Sequence, residues 1–179
     1  MTVTGDNPEV AESFAGPVTL RPIGYVRSAY AEPGDVPHTH DGWTADVSRI
    51  CLLPRHAGAL GGLKGYSHVI VLFWVHRARD WKMPKHHHKP PWAKVFATRM
   101  PVRPNPIGMS AVELLDFSPQ TGVVTVKGLD ALDGTPVLDI KPYIPNFDSY
   151  PEARVPDWVS RHLDSHFHSG RAHRHEDGG

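Results

Sequence analysis

AVELLDFSPQTGVVTVKGL, residues 111–129, contains two apolar runs, Ala111–Phe117 and Gly122–Leu129, around Ser118-Pro119-Gln120-Thr121-Gly122. Two such runs joined by a short Pro/Gly turn predict a β-hairpin. Upstream, His68–His76 (HVIVLFWVH) is continuously apolar, which predicts a strand covered on both faces. Downstream, Thr135–Tyr143 reads as another strand. Val18–Ser28 mixes β-branched and aromatic residues with polar ones, and Pro22 places its first half at an edge or a bulge. Asp46–Leu53 alternates imperfectly and reads as one more strand. Helix signals are few. Ala57, Leu60 and Leu63 follow Pro54 at spacing three, and Val159, Leu163 and Phe167 fall at i, i+4 and i+8. Several short strands, few helices and no βαβ repetition predict a mostly-β fold: a single compact β-barrel domain with a few short helices and flexible termini.

The chain has 179 residues, one domain's length, and a chain of about 150 hides roughly two-thirds of its extended surface. Residues 1–17 and 165–179 lack hydrophobic periodicity and read as disordered tails, the second His-rich, leaving 18–164 as the barrel domain. The 19 Lys and Arg balance 19 Asp and Glu, which disfavours a protein that holds nucleic acid by bulk electrostatics. The charge is segregated, however. Eight Lys and Arg lie within Arg77–Arg103 against one acid, Asp80, with Trp81 and Trp92 between them. That cluster is either a solvated loop or a surface able to engage one RNA loop. A single cysteine excludes an intramolecular disulfide and a Cys-based zinc site, and Cys51 is expected to be a small buried hydrophobe. Nothing approaches the 18 or so apolar residues of a membrane span, and the polar N-terminus is no signal peptide, so a cytoplasmic protein is expected. The 13 histidines include the triplet His86-His87-His88 and five between His162 and His175. Adjacent histidines on a loop rarely make a defined site without further ligands, and no metal site is expected.

Two segments carry composition that packing does not demand. VFATRMPVRPNPIGMS, residues 95–110, has Pro101, Pro104 and Pro106 within six residues. They stiffen the backbone, remove amide donors and bias their predecessors toward extended geometry. The result is a pre-shaped loop presenting Arg99, Arg103 and Asn105, whose guanidinium forks and amide suit carboxylates, rings and base edges. A rigid surface loop with solvated arginines is the competing reading. The second segment is GLDALDGTPVLDIKPYIPNFD, residues 128–148. Asp133-Gly134 signals a tight turn. Asp139, Lys141 and Tyr143 then point to one side of a strand, with Ile140 on the other. A plain Asp139–Lys141 salt bridge is the simpler account of that pattern. No Rossmann, Walker, zincin or nucleophile-elbow motif is present.

Phe96-Ala97-Thr98-Arg99-Met100-Pro101-Val102-Arg103-Pro104-Asn105-Pro106-Ile107-Gly108 resembles the signature of the TsaA/TrmO-like family of β-barrel, S-adenosylmethionine-dependent methyltransferases. Pro22–Ser28 is similar to that family's first strand, and Gly62–His68 to its GL-x-G-[FY]-SH segment. Asp133–Tyr143 matches its DGTPVLDIKPY segment. The resemblance spans about residues 20–148 in the family's order. It implies a homodimer with S-adenosylmethionine bound near the subunit interface. It also implies methylation of the exocyclic amine of a threonylcarbamoyl-modified adenosine beside a tRNA anticodon.

Carried over residue by residue, the resemblance nominates Arg99, Arg103, Pro104, Asn105, Ile107, Gly108, Asp133 and Thr135 for the cofactor, with Ser28 and His68 as further candidates. Asp139, Lys141 and Tyr143 are nominated for catalysis. Asp139 or Asp133 is the expected proton acceptor, and Tyr143 is placed to stack on a ring or face the sulfonium. Many tRNA-modifying members carry a further domain after the barrel. Here one short helix and the His-rich tail follow instead, which keeps a small-molecule acceptor open as a second reading. A third is a non-catalytic module that binds S-adenosylmethionine or buffers metal through its histidines.

Overall fold

The computed structural model describes residues 18–36, 45–80, 82 and 89–161. Six strands run β1 Gly24–Arg27, β2 Val47–Leu52, β3 His68–Trp74, β4 Ile107–Ser118, β5 Val123–Lys127 and β6 Pro136–Pro142. They close into an antiparallel barrel in the order β1-β2-β5-β4-β3-β6. The expected hairpin is β4–β5, with Ser118 opposite Val123. Its turn is secured by Gly122, whose φ of 70° few other residues tolerate and whose amide bonds the Ser118 carbonyl at 2.8 Å.

Every strand sends at least one β-branched residue inward: Val26, Ile50, Val69 and Val71, Val112, Val124 and Val126, and Val137, all at most 2% exposed. Side chains of this shape fill a small barrel and leave no channel. Leu60 and Leu129, from outside the strands, join the same core.

Three expectations change. Only Gly24–Arg27 of Val18–Ser28 forms a strand, while Val18 and Leu20 stand exposed. Pro22 cannot donate to a ladder, so pairing begins after it. The β3 strand is not covered on both faces. Its inner residues are buried, but Ile70, Leu72 and Trp74 on the outside are only partly so. Last, β4 starts at Ile107, inside the stretch read as a loop, because no proline lies between Pro106 and the turn at Pro119.

The helix after Pro54 is a 3-10 helix, Pro54–Leu60. A one-turn helix, α1, covers Pro145–Asp148, with the Ile144 amide bonded to Asp148 at 2.7 Å. Residues 157–161 are helical, and Leu163 and Phe167 of the expected stripe lie outside the described residues. So do both tails, Trp81 and the His86-His87-His88 triplet. Cys51 is half-buried. No helix among the described residues is long and apolar enough to cross a membrane.

Candidate active site

The carboxyl end of β3, the amino ends of β4 and β6, and the loop leaving β5 meet at one mouth of the barrel. There they enclose a cavity of about 700 Å³. Pockets for small organic ligands fall in this range. Phe73, Val75 and Leu132 give it apolar walls, and Arg77, Arg99, Arg103, His76, Ser110 and Asp130 supply the polar groups. Gly108 allows a close approach, because a Cβ there would stand 2.2 Å from the Phe73 ring and the ring would have to move. The absent side chain leaves room for that ring beside β4.

The proline-rich loop behaves as its composition predicts. Arg99 donates to the Met109 carbonyl at 2.6 Å and Arg103 to the Thr98 carbonyl at 3.2 Å. Thr98 itself bonds the Val95 carbonyl at 2.8 Å. Each guanidinium is thus oriented by one backbone bond and keeps further N–H groups for a ligand. Arg77 is used differently. It bonds Glu32 at 2.6 Å, Asp80 at 2.8 Å and the Ala31 carbonyl at 3.1 Å. These bonds hold its proton tightly and push the Glu32 carboxyl below its ordinary range. They pin residues 31–36, whose Pro33 and Val36 complete the wall.

Asp130 accepts a hydrogen bond from the hydroxyl of buried Ser110. It is open toward the cavity, and the protein packed around its other sides raises its carboxyl above the ordinary value. The Ser110 bond and the Arg99 charge pull the other way. His76 is lowered, first by burial and then by Arg77, and its Nδ1 lies 3.4 Å from the Thr135 hydroxyl. Beneath the floor, the Tyr30 phenol donates to Asp46. Burial and then that bond raise it well above its ordinary value. The Tyr30 carbonyl accepts the Asp133 amide at 2.7 Å, and the Asp46 carbonyl the Gly128 amide at 3.0 Å, so this pair anchors both ends of the floor loop.

Of the residues nominated from sequence, the fold brings Arg99, Arg103, Ile107, Gly108 and Thr135 to the cavity. Ser28 and Asp133 shape its floor from behind. Asp133 pairs with Arg27 at 3.0 Å and accepts the Ser28 amide at 3.2 Å, while the Ser28 hydroxyl bonds the Ala131 carbonyl at 2.8 Å. Pro104 and Asn105 sit exposed at the loop tip, where the Asn105 carbonyl accepts the Ile107 amide at 2.7 Å. Asp139, Lys141, Tyr143 and His68 stand away from the cavity wall. Asp139 and Lys141 pair at 2.5 Å on the outer face of β6, and the Tyr143 and His68 rings are 6.3 Å apart.

Ser110 and Asp130 were not singled out by sequence reading, and neither Phe73, His76 nor Arg77 was assigned to the site. A histidine and an arginine directly after an apolar strand were a usable signal for His76 and Arg77. Asp130 lies in the segment 128–148 but just outside its Asp133–Tyr143 motif. Gly128, at φ 89°, turns the chain off β5 and carries the next residues across the barrel mouth.

A family model described as the tRNA-methyltransferase O N-terminal domain matches residues 25–149. A probable S-adenosyl-L-methionine-binding protein of Methanothermobacter thermautotrophicus is 41% identical over 133 residues, covering 74% of this chain and 94% of that protein. The tRNA (adenine(37)-N6)-methyltransferase of Escherichia coli is 39% identical over 143 residues, covering 73% of this chain and 60% of that enzyme. The crystal structure of TrmO from Pseudomonas aeruginosa superposes with a TM-score of 0.65 at 40% identity, covering 78% of this chain and 62% of that one. The chain therefore spans less than two-thirds of the length of these two methyltransferase relatives.

Proposed function

This chain belongs to the tRNA-methyltransferase O N-terminal domain family, and from that premise we propose that it is an S-adenosylmethionine-dependent methyltransferase acting on the exocyclic nitrogen of a tRNA adenosine. The finer reading is a threonylcarbamoyl-modified adenosine beside the anticodon, which would place the reaction in the cytoplasm. The observation that carries the proposal is the barrel-mouth cavity, whose described lining combines two pre-oriented guanidiniums and one carboxylate with apolar walls.

The cofactor's groups fit these residues. Arg99 and Arg103 suit its carboxylate, and Phe73, Val75, Ile107 and Leu132 its adenine. Backbone groups of the Ala131–Thr135 loop suit its hydroxyls. When bound, S-adenosylmethionine supplies a methyl group on a sulfonium, poised for displacement by a lone pair. The protein's task is then to align the acceptor nitrogen and exclude water. The exposed Trp92 and Phe96, 66% and 81% accessible, stand near Lys94 and the Arg99 loop and offer faces on which bases can stack.

Mass spectrometry of tRNA nucleosides from cells with and without the gene tests this directly. The expected result is loss of one methylated adenosine in the deletion and its restoration by purified protein with S-adenosylmethionine. An identical nucleoside profile in both strains would remove the tRNA reading and leave a small-molecule acceptor.

A second copy of the chain is part of the proposal. On the outer face, Trp74 pairs with Ile107, Leu72 with Met109 and Ile70 with Ala111. Ile107 and Met109 are 42% and 53% exposed. This apolar face is bordered by the Asp139–Lys141 pair, and Ile107, Met109 and Ala111 also reach the cavity. A dimer across it would put the cofactor near the interface and bring Asp139, Lys141, Tyr143 and His68 close to the contact. Light scattering is expected to give twice the 19.8 kDa chain mass, and Met109→Lys to give the monomer. A monomeric wild type at micromolar concentration rules the arrangement out.

A further inference from the structure

We propose that Asp130, held by Ser110, is the group that takes the proton from the acceptor nitrogen during methyl transfer; this rests on the methyltransferase reading above. Among the described residues lining the cavity, Asp130 is the only carboxylate. It is placed by tertiary structure alone: Gly128 turns it across the barrel mouth, and the Ser110 hydroxyl from β4 fixes its carboxylate. One such bond leaves a carboxylate with lone pairs to spare for a ligand N–H. The other candidate carboxylates are engaged elsewhere, Asp133 with Arg27 and Asp139 with Lys141.

The step balances without any further reactant. The acceptor nitrogen bonds to the methyl carbon as the carbon–sulfur pair stays on sulfur. The N–H bond breaks, its electron pair remains on nitrogen, and the proton passes to Asp130, which becomes a carboxylic acid. A general base is most effective when its pKa lies near the working pH. The raised carboxyl of Asp130 moves it in that direction. The charged and titratable groups around it are Arg99 and Arg103 from the proline-rich loop, His76 and Arg77 beyond β3, and the Tyr30 phenol from below. Ser110 is a positioning residue. Its hydrogen bond favours the charged form, so removing it raises the Asp130 value further.

The test uses the full chain in three measurements. Calorimetry gives S-adenosylmethionine affinity, methyl transfer to unmethylated tRNA gives a pH–rate profile, and carbon-13 NMR of aspartate carboxyls follows Asp130 without any acceptor. Asp130→Asn is expected to keep cofactor affinity within about threefold and to lose about 10³-fold in kcat. Ser110→Ala is expected to lower kcat, by less than Asp130→Asn does, with the acid limb of its profile and the Asp130 NMR midpoint both displaced to higher pH.

Three results overturn the inference. One is normal turnover in Asp130→Asn. Another is loss of cofactor affinity in that variant with turnover preserved at saturation, which makes Asp130 a cofactor anchor. The third is an acid limb that survives Asp130→Asn and vanishes in His76→Gln. If the wild type binds the cofactor but methylates no tRNA, the acceptor reading fails separately. The NMR measurement still decides Asp130: an ordinary midpoint unmoved by Ser110→Ala overturns the inference.

Discussion

Replacing Arg99 by methionine is expected to raise the S-adenosylmethionine dissociation constant by about 30-fold or more, roughly 2 kcal/mol. The expectation follows from how the side chain is held. Its bond to the Met109 carbonyl aims the fork at the cavity before any ligand arrives, so little ordering entropy is lost on binding. Methionine keeps the stem's packing and removes the donors. Arg99→Lys is expected to recover little, because one ammonium cannot hold the Met109 carbonyl in the same geometry and also grip a carboxylate as a fork. Calorimetry with the purified chain decides the matter, with thermal melts to show that the variants remain folded. An unchanged dissociation constant in a folded Arg99→Met variant would mean that the cofactor's carboxylate is held elsewhere.

The largest expected loss of stability is at Gly24. This buried glycine pairs at once with Leu52 of β2 and Val137 of β6. A Cβ there would meet the Cys51 carbonyl oxygen at 2.5 Å and the Leu52 Cα at 2.8 Å. Both are backbone atoms of a strand in the same barrel, so neither can swing aside as a side chain can. The seam it would force open joins β1 to β2, and the seam on the other side of β1 is the thinnest in the barrel. β1 and β6 share only the Gly24–Val137 and Tyr25–Pro136 pairs in their register. Gly24→Val is expected to cost about 3 kcal/mol or more, against a total stability of about 5–15 kcal/mol. That corresponds to a fall of about 10 °C in Tm for a chain this size. Gly58→Ala is the matched control, since nothing lies within 4 Å of its added Cβ. Equal melting temperatures for the two variants would refute the argument.

Much of the barrel was legible because its signals are local. Apolar runs such as His68–His76 and the hairpin turn at Ser118–Gly122 mark strands wherever they occur, since burial and turn chemistry act over a few residues. The proline-rich loop was legible for the same reason. Prolines restrict the backbone without help from the rest of the fold, and they placed Arg99 and Arg103 in a presented segment. The length of β1 was only partly legible: Pro22 marks a break, but whether Val18–Arg21 pairs beyond it depends on which strand lies alongside.

The site divides in the same way. The sequence by itself determined the family and a mostly-β fold, and it identified the two arginines and Thr135 that reach the cavity. Tertiary structure alone decided which carboxylate faces them. Asp133 and Asp139 carry the conspicuous motif, yet both are spent on cations outside the cavity wall. Asp130 has no motif and stands at its mouth, beside a serine twenty residues earlier in the chain. Barrel closure is the physical reason. It brings the ends of β3, β4, β5 and β6 to a single rim, and the side chains that meet there share no spacing that a linear sequence displays.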